Sequence, residues 1–229
     1  MTGVSPLIVN FVGRITRLTP KRLDLMPYQT AEYLAQIETA LGLELTGSSD
    51  FDLNKGRPNP SKSAPREAGV LIALTDINNE CHVLLTKRSA ALKHHPGQVA
   101  FAGGKVEPGD GTPTATALRE AEEEIALPQK AVKVLGQLSP HVTITNFRVT
   151  PVLGQVTAQV DLRPETGEVD EIFSVPLSFL LAVENYQICK RRYLGVDRFY
   201  YTIPYGPYYI WGATARMLRG FAERMAQCN

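Results

Sequence analysis

The chain has 229 residues, 44% of them apolar and 21% charged, and carries a net charge of +1. That composition suits a globular fold with a sizeable core. A balance so near neutrality gives no bulk attraction to nucleic acid or to an anionic membrane. Cys81, Cys189 and Cys228 fall in no paired spacing, which argues against a disulfide framework and fits a reducing cytoplasm. The adjacent His94 and His95 lack the cysteine neighbours of a zinc motif. No apolar run reaches membrane-spanning length, and the first residues lack a signal-peptide pattern.

Residues 1–27 mix apolar positions with Arg14, Arg17, Lys21 and Arg22 and read as an arm. Residues 28–42 have helical periodicity, with Tyr33, Leu34, Ile37 and Leu41 on one face. Residues 46–66 are rich in Gly, Ser, Asn, Pro and Lys and read as a linker. The expected division is therefore 1–66, an arm, helix and linker, followed by a main domain over 67–229. Within that domain Ala68–Thr75 and His82–Lys87 are strand candidates joined by a turn, and Gln98–Phe101 is a third. A helix over Ala115–Ala126 ends before Pro128. Further strands are expected at Ala131–Leu138, Val149–Val156 and Glu171–Val175, then a helical turn at Leu177–Ala182. Tyr186–Tyr193 and Arg198–Ile203 suit a hairpin around Gly195, and Trp211–Gln227 a closing helix. Strands interleaved with a few helices predict an α/β or α+β sandwich.

The chemistry concentrates in Gly103–Leu127, GGKVEPGDGTPTATALREAEEEIAL. Helical spacing puts Glu120, Glu123 and Glu124 on one face and leaves Glu122 on another. Ala117, Leu118, Ala121 and Ile125 form an opposite, apolar face suited to packing on a sheet. Carboxylates this close repel unless a cation sits among them, and hard oxygen ligands suit Mg²⁺ or Mn²⁺. Magnesium keeps waters and is completed by substrate phosphates, so a phosphate ester or anhydride is the implied substrate. Arg119 is expected to orient one carboxylate, or to contact phosphate.

This run resembles the Nudix box, Gly-x5-Glu-x7-Arg-Glu-U-x-Glu-Glu-x-Gly-U with U apolar, at Gly104, Arg119, Glu120, Ala121, Glu123, Glu124 and Leu127. Asp110 stands where Glu is usual, eight residues rather than seven separate it from Arg119, and Ala126 replaces the final Gly. The Ala126 replacement fits if that position does not need a positive φ. The resemblance implies a mixed sheet between helices and a divalent-metal-dependent diphosphatase in which Glu120 and Glu124 hold the main metal ion and Glu123 is a further metal ligand or an outer carboxylate. A general base from outside the helix is expected among Glu165, Glu168 and Glu171. The expected catalytic set is Arg119, Glu120, Glu123, Glu124 and Glu171.

The preceding stretch, Leu84–Gly104, resembles the signature of the coenzyme A diphosphatase branch, Leu-Leu-Thr-x-Arg-Ser-x3-Arg-x3-Gly-x3-Phe-Pro-Gly-Gly. Leu84, Leu85, Thr86, Arg88, Ser89, Gly97, Phe101, Gly103 and Gly104 match; Lys93 replaces Arg and Ala102 replaces Pro. This implies hydrolysis of coenzyme A or an acyl derivative to 3′,5′-ADP and 4′-phosphopantetheine. Arg88, Lys93, Gly103 and Gly104 are the expected substrate contacts. The alternatives are a Nudix hydrolase of NADH, ADP-ribose or a nucleoside triphosphate, and a non-catalytic ligand sensor. Phe147, Tyr205, Tyr208 and Tyr209 are candidates for stacking on adenine, with core packing as the alternative. Trp211, the Tyr205–Tyr209 segment and the 28–42 helix suit a homodimer as well as a monomer.

Overall fold

The computed structural model describes residues 30–43, 46–54, 63–193 and 195–228. The arm expected over residues 1–27 lies outside the described residues. Helix α1 spans Thr30–Leu41, and a two-residue strand, β1, covers Ser48–Ser49. Strands β2 (Arg66–Ile77) and β3 (Glu80–Arg88) form a hairpin whose turn uses Asn78 and Asn79 at positive φ. The stretch expected as one strand near Phe101 is two, β4 (Val99–Ala100) and β5 (Ala102–Lys105). They turn from pairing with β3 to pairing with β2.

Helix α2 follows, Pro113–Ile125, with Thr112 accepting the Ala115 amide at 3.1 Å and Pro113 in the first turn. Next come β6 (Val132–Gln137), β7 (His141–Val142), β8 (Phe147–Val156) and β9 (Val169–Pro176). Helix α3 covers Leu177–Leu181. A separate antiparallel sheet contains β10 (Gln187–Tyr193), β11 (Val196–Tyr205) and β12 (Tyr208–Trp211), and α4 (Ala213–Met225) closes the described fold. The closing helix was expected from Trp211; instead Trp211 ends β12, and Gly212 at positive φ turns the chain. β12 was not anticipated, because YGPYYIW carries no period-two alternation of apolar and polar residues.

The main sheet is mixed. β2 runs parallel to β8 on one side; on the other it pairs antiparallel with β5 along Ala68–Leu71 and with β3 along Leu74–Ile77. β9 lies antiparallel on the far side of β3. Both faces are covered, so β2 is apolar almost throughout. Leu71 and Ala73 join the core under α2; Ile72 and Leu74 join the larger core that includes residues of α1, α3 and α4. The expected sandwich of a mixed sheet between helices is what forms.

The segment before residue 67 is not separate where it is described. Ile37 and Ala40 of α1 are fully buried in the larger core. Residues 46–54, expected as linker, are bolted on by side chains. The His141 ring lies between Ser48 Oγ, 2.9 Å from Nδ1, and Asp50 Oδ1, 3.1 Å from Nε2. Asn54 donates to the Phe199 carbonyl at 2.9 Å and accepts the Phe199 amide at 3.0 Å. Short polar side chains that bond backbone read in sequence like a loop, which is why the docking is silent there.

Ala126 ends α2 at φ 54° and ψ 33°, in the left-handed region, with its amide and that of Leu127 bonded to the Ala121 carbonyl. The condition under which Ala would suit this position is therefore not met: the cap does require positive φ, which strains a Cβ-bearing residue. Ala126→Gly is expected to raise stability by about 0.5–1 kcal/mol in urea melts, the relief of strain outweighing the added freedom of the unfolded chain. An unchanged or lowered midpoint would rule out strain at the cap.

Candidate active site

α2 packs on the sheet through Ala117, Ala121 and Ile125, as its apolar stripe predicted. That orientation carries Glu120 and Glu124 to the flank facing β5. A Cβ at Gly104 would stand 2.2 Å from Glu120 Oε1, so a side chain there would displace that carboxylate. At Gly103 a Cβ would meet the Gly69 carbonyl at 2.4 Å, and its amide points to Glu124 Oε2 at 3.4 Å. Gly104 thus leaves room for Glu120, and Gly103 lets β5 lie close on β2 while its amide faces Glu124.

Arg119 is the hub of the surrounding charge. Its Nε and Nη2 form a fork on Asp110, at 2.8 Å to Oδ1 and 3.0 Å to Oδ2. Nη2 also reaches Glu120 Oε1 at 3.0 Å, and Nη1 reaches Glu123 Oε2 at 2.8 Å. Asp110 further accepts the Glu107 amide at 2.8 Å and the Thr116 hydroxyl at 2.8 Å. The guanidinium and these donors hold its carboxyl well below the usual range. The shorter Asp and the extra loop residue therefore still deliver a carboxylate to Arg119. The bidentate partner is Asp110 rather than a carboxylate of the helix.

Glu120 and Glu124 differ from Glu123. Glu124 is buried, and desolvation first, then the Glu120 charge, push its pKa up to about 7 against weaker relief from Arg88. Burial also raises Glu120, partly offset by Arg119. Glu123 is 58% exposed and turned toward Arg119. Among the described residues no three His, Cys, Asp or Glu side chains converge as a complete protein cage would. The two carboxylates turned toward β5 are Glu120 and Glu124, whereas Glu123 is bonded to Arg119. A buried and a half-buried carboxylate, under-supplied with cations, suit a divalent ion that keeps waters and takes its remaining ligands from phosphate.

Arg88, at the end of β3, brings Nη1 to 3.9 Å from Glu124 Oε1. It leads into the loop that carries Lys93, His94 and His95, all exposed. Lys93 has no ion pair among the described residues.

The three candidate bases separate. The Glu165 amide bonds the Glu124 carbonyl at 2.8 Å, tying its loop to the end of α2, and its carboxylate accepts the Glu168 amide at 3.1 Å. Glu168 is exposed and close enough to raise the pKa of both Glu120 and Glu124. Glu171 is not brought to this group. It pairs with Lys87, two positions from the Leu85–Phe173 pair, and Leu85 and Phe173 sit in the core on the face opposite α2. There Glu171 accepts a short hydrogen bond from the Tyr208 hydroxyl. Tyr208 lies flat on Phe173, ring centroids 3.6 Å apart, so core packing accounts for it. Phe147 likewise lies under Arg66, 4.0 Å from the guanidinium carbon. In sequence, Ile172, Phe173 and Val175 are apolar on both sides of β9, so the face of Glu171 has no periodic signature.

Because the folded Glu124 titrates near 7 rather than at the ordinary 4.5, the folded state holds its proton more tightly than the unfolded chain. That contribution is complete below the unfolded value and is lost as pH rises through the folded one. The melting temperature of metal-free protein in chelator should fall between about pH 5 and pH 8. Glu124→Gln should flatten most of that slope and exceed the parent at the upper end by up to about 3 kcal/mol. A slope unchanged by the substitution would remove Glu124 as its source.

The NUDIX domain family matches residues 65–194. An uncharacterized Nudix hydrolase NudL of Yersinia enterocolitica is 39% identical over 177 residues, 77% of this chain and 90% of its own. A NudL of Klebsiella pneumoniae is 39% identical over 168 residues, 72% of this chain and 87% of its own. The NUDIX domain of Shewanella oneidensis NrtR, solved with ADP ribose, is 15% identical at a TM-score of 0.46, over 76% of this chain and 96% of that one. The chain belongs to the Nudix family of hydrolases, enzymes that act on pyrophosphate bonds.

Proposed function

We propose that this hydrolase cleaves the diphosphate of coenzyme A or an acyl derivative, giving 3′,5′-ADP and 4′-phosphopantetheine. The observation that carries the reading is Arg88. It matches the Leu84–Gly104 signature, stands 3.9 Å from Glu124 and opens the exposed basic loop with Lys93, His94 and His95. A diphosphate held at Glu120 and Glu124 leaves the 3′-phosphate in need of further cations, and this loop supplies them beside the site. Lys93 keeps the charge of the usual Arg without its fork.

Glu120 and Glu124 are the residues to hold Mg²⁺ or Mn²⁺, which when bound neutralises the diphosphate and acidifies a coordinated water. The protein's own contributions are positional. Gly104 leaves room for Glu120, the Gly103 amide faces Glu124, Arg119 locks Asp110 and Glu120, and Arg88 screens the substrate's negative charge. For the general base we favour Glu168, exposed and electrostatically coupled to both carboxylates, over Glu171, which Tyr208 engages on the other face.

Coenzyme A, dephospho-coenzyme A, NADH, ADP-ribose and dGTP should be offered with each metal and the products read by mass spectrometry. Coenzyme A is expected to turn over best and dephospho-coenzyme A less well, with Glu124→Gln inactive. Equal use of the dephospho form, or preference for another substrate, would reject the coenzyme A reading while leaving the family chemistry intact. Separately, Glu168→Gln should lower kcat by about 10²–10⁴ and abolish the acidic limb of the pH profile, with Glu171→Gln near parental. The reverse pattern would return the base to Glu171.

A further inference from the structure

A cleft of about 590 Å³ opens beside the end of α1, the β6–β7 turn and α4. Leu41, Leu43 and Leu138 give it apolar walls, and Gln137, Ser139 and Arg224 are among its polar ones. Arg224 is only 5% exposed. Its Nη1 donates to the Ala40 carbonyl at 3.2 Å and the Leu41 carbonyl at 3.5 Å, and its Nη2 to Ser139 Oγ at 3.3 Å. These bonds use at most three of five N–H donors, and every acceptor is uncharged. The end of α1 contributes about half a negative charge. No carboxylate among the described residues forms an ion pair with Arg224. Burial accordingly lowers its pKa, the opposite of Arg119 among its carboxylates.

A smaller pocket of about 160 Å³ shares Leu138, Ser139 and Arg224 and adds Arg216. Arg216 Nε is held by Asp52 at 2.8 Å, but its Nη1 is buried without a hydrogen bond and lies 3.5 Å from Glu223 Oε2. Glu223 is drawn at 2.9 Å to Arg219. Asp52 and Glu223 are thus taken up by Arg216 and Arg219, and Arg224 is left as one positive charge in excess along α4. Buried cations are ordinarily paired, and the surplus here adjoins an open, partly apolar space.

We propose that this cleft binds a small organic anion, a phosphate monoester or carboxylate with a short apolar body. Its head sits on Arg224 and its body lies along Leu41, Leu43 and Leu138. The site shares no residue with the metal helix and does not depend on the substrate assigned above. The full chain, metal-free and in phosphate-free buffer, is titrated calorimetrically with butyl phosphate and with hexanoate; the tighter of the two identifies the head group. Because Arg224 also caps α1 and its loss risks unfolding, the deciding variant is Leu43→Asp, which sets a negative charge at the cleft without touching the core. It is expected to weaken binding about tenfold or more, with Glu124→Gln unchanged. No saturation by either probe in the millimolar range, binding unaffected by Leu43→Asp, or binding lost in Glu124→Gln would each overturn the proposal.

Discussion

Glu120 and Glu124 stand against backbone at the end of the sheet: Gly104 presents no side chain to Glu120, and the Gly103 amide points to Glu124. The Gly104 position would place a Cβ 2.2 Å from a Glu120 oxygen. Closeness to backbone brings desolvation, desolvation raises the carboxylate pKa values, and the raised values mark a site short of positive charge. Arg119 relieves Glu120 but is itself committed to Asp110, and Arg88 stands 3.9 Å from Glu124, beyond hydrogen-bond distance. The remaining deficit is what a divalent cation and its phosphate ligand would fill.

What sequence revealed and concealed follows from the range of the interactions. The α2 stripe, the Arg119–Glu120–Glu123–Glu124 cluster and the β2–β3 hairpin are local patterns of fixed period or short span, and they were readable. Glu123 shows the limit: helical spacing puts it on the face of Glu120 and Glu124, yet the Arg119 side chain holds it out toward solvent. Glu171 and Glu168 show a second limit. They are three residues apart, but a register shift between Lys87 and Arg88 lies opposite them, and no periodicity reports a bulge.

The N-terminal part of the described chain was hidden for another reason. α1 was visible as an amphipathic helix, but its destination was not. Ile37 and Ala40 enter the same core as Phe221 of α4, which lies more than 180 residues further along the chain. The family match begins at residue 65, whereas the packed body begins in α1. The catalytic pattern and the physical unit that supports it therefore differ in extent.

Asn54 illustrates what that added segment contributes. β12 pairs with β11 only from Thr202 to Tyr205, so the β11 backbone around Phe199 runs on past its neighbour. The Asn54 amide meets that backbone with one donor and one acceptor, as an adjoining strand would. An unpaired edge is a template for another chain. The Asn54 side chain occupies it, satisfying the carbonyl and amide of Phe199. Residues 46–54 thus finish the edge of a sheet to which they contribute no strand.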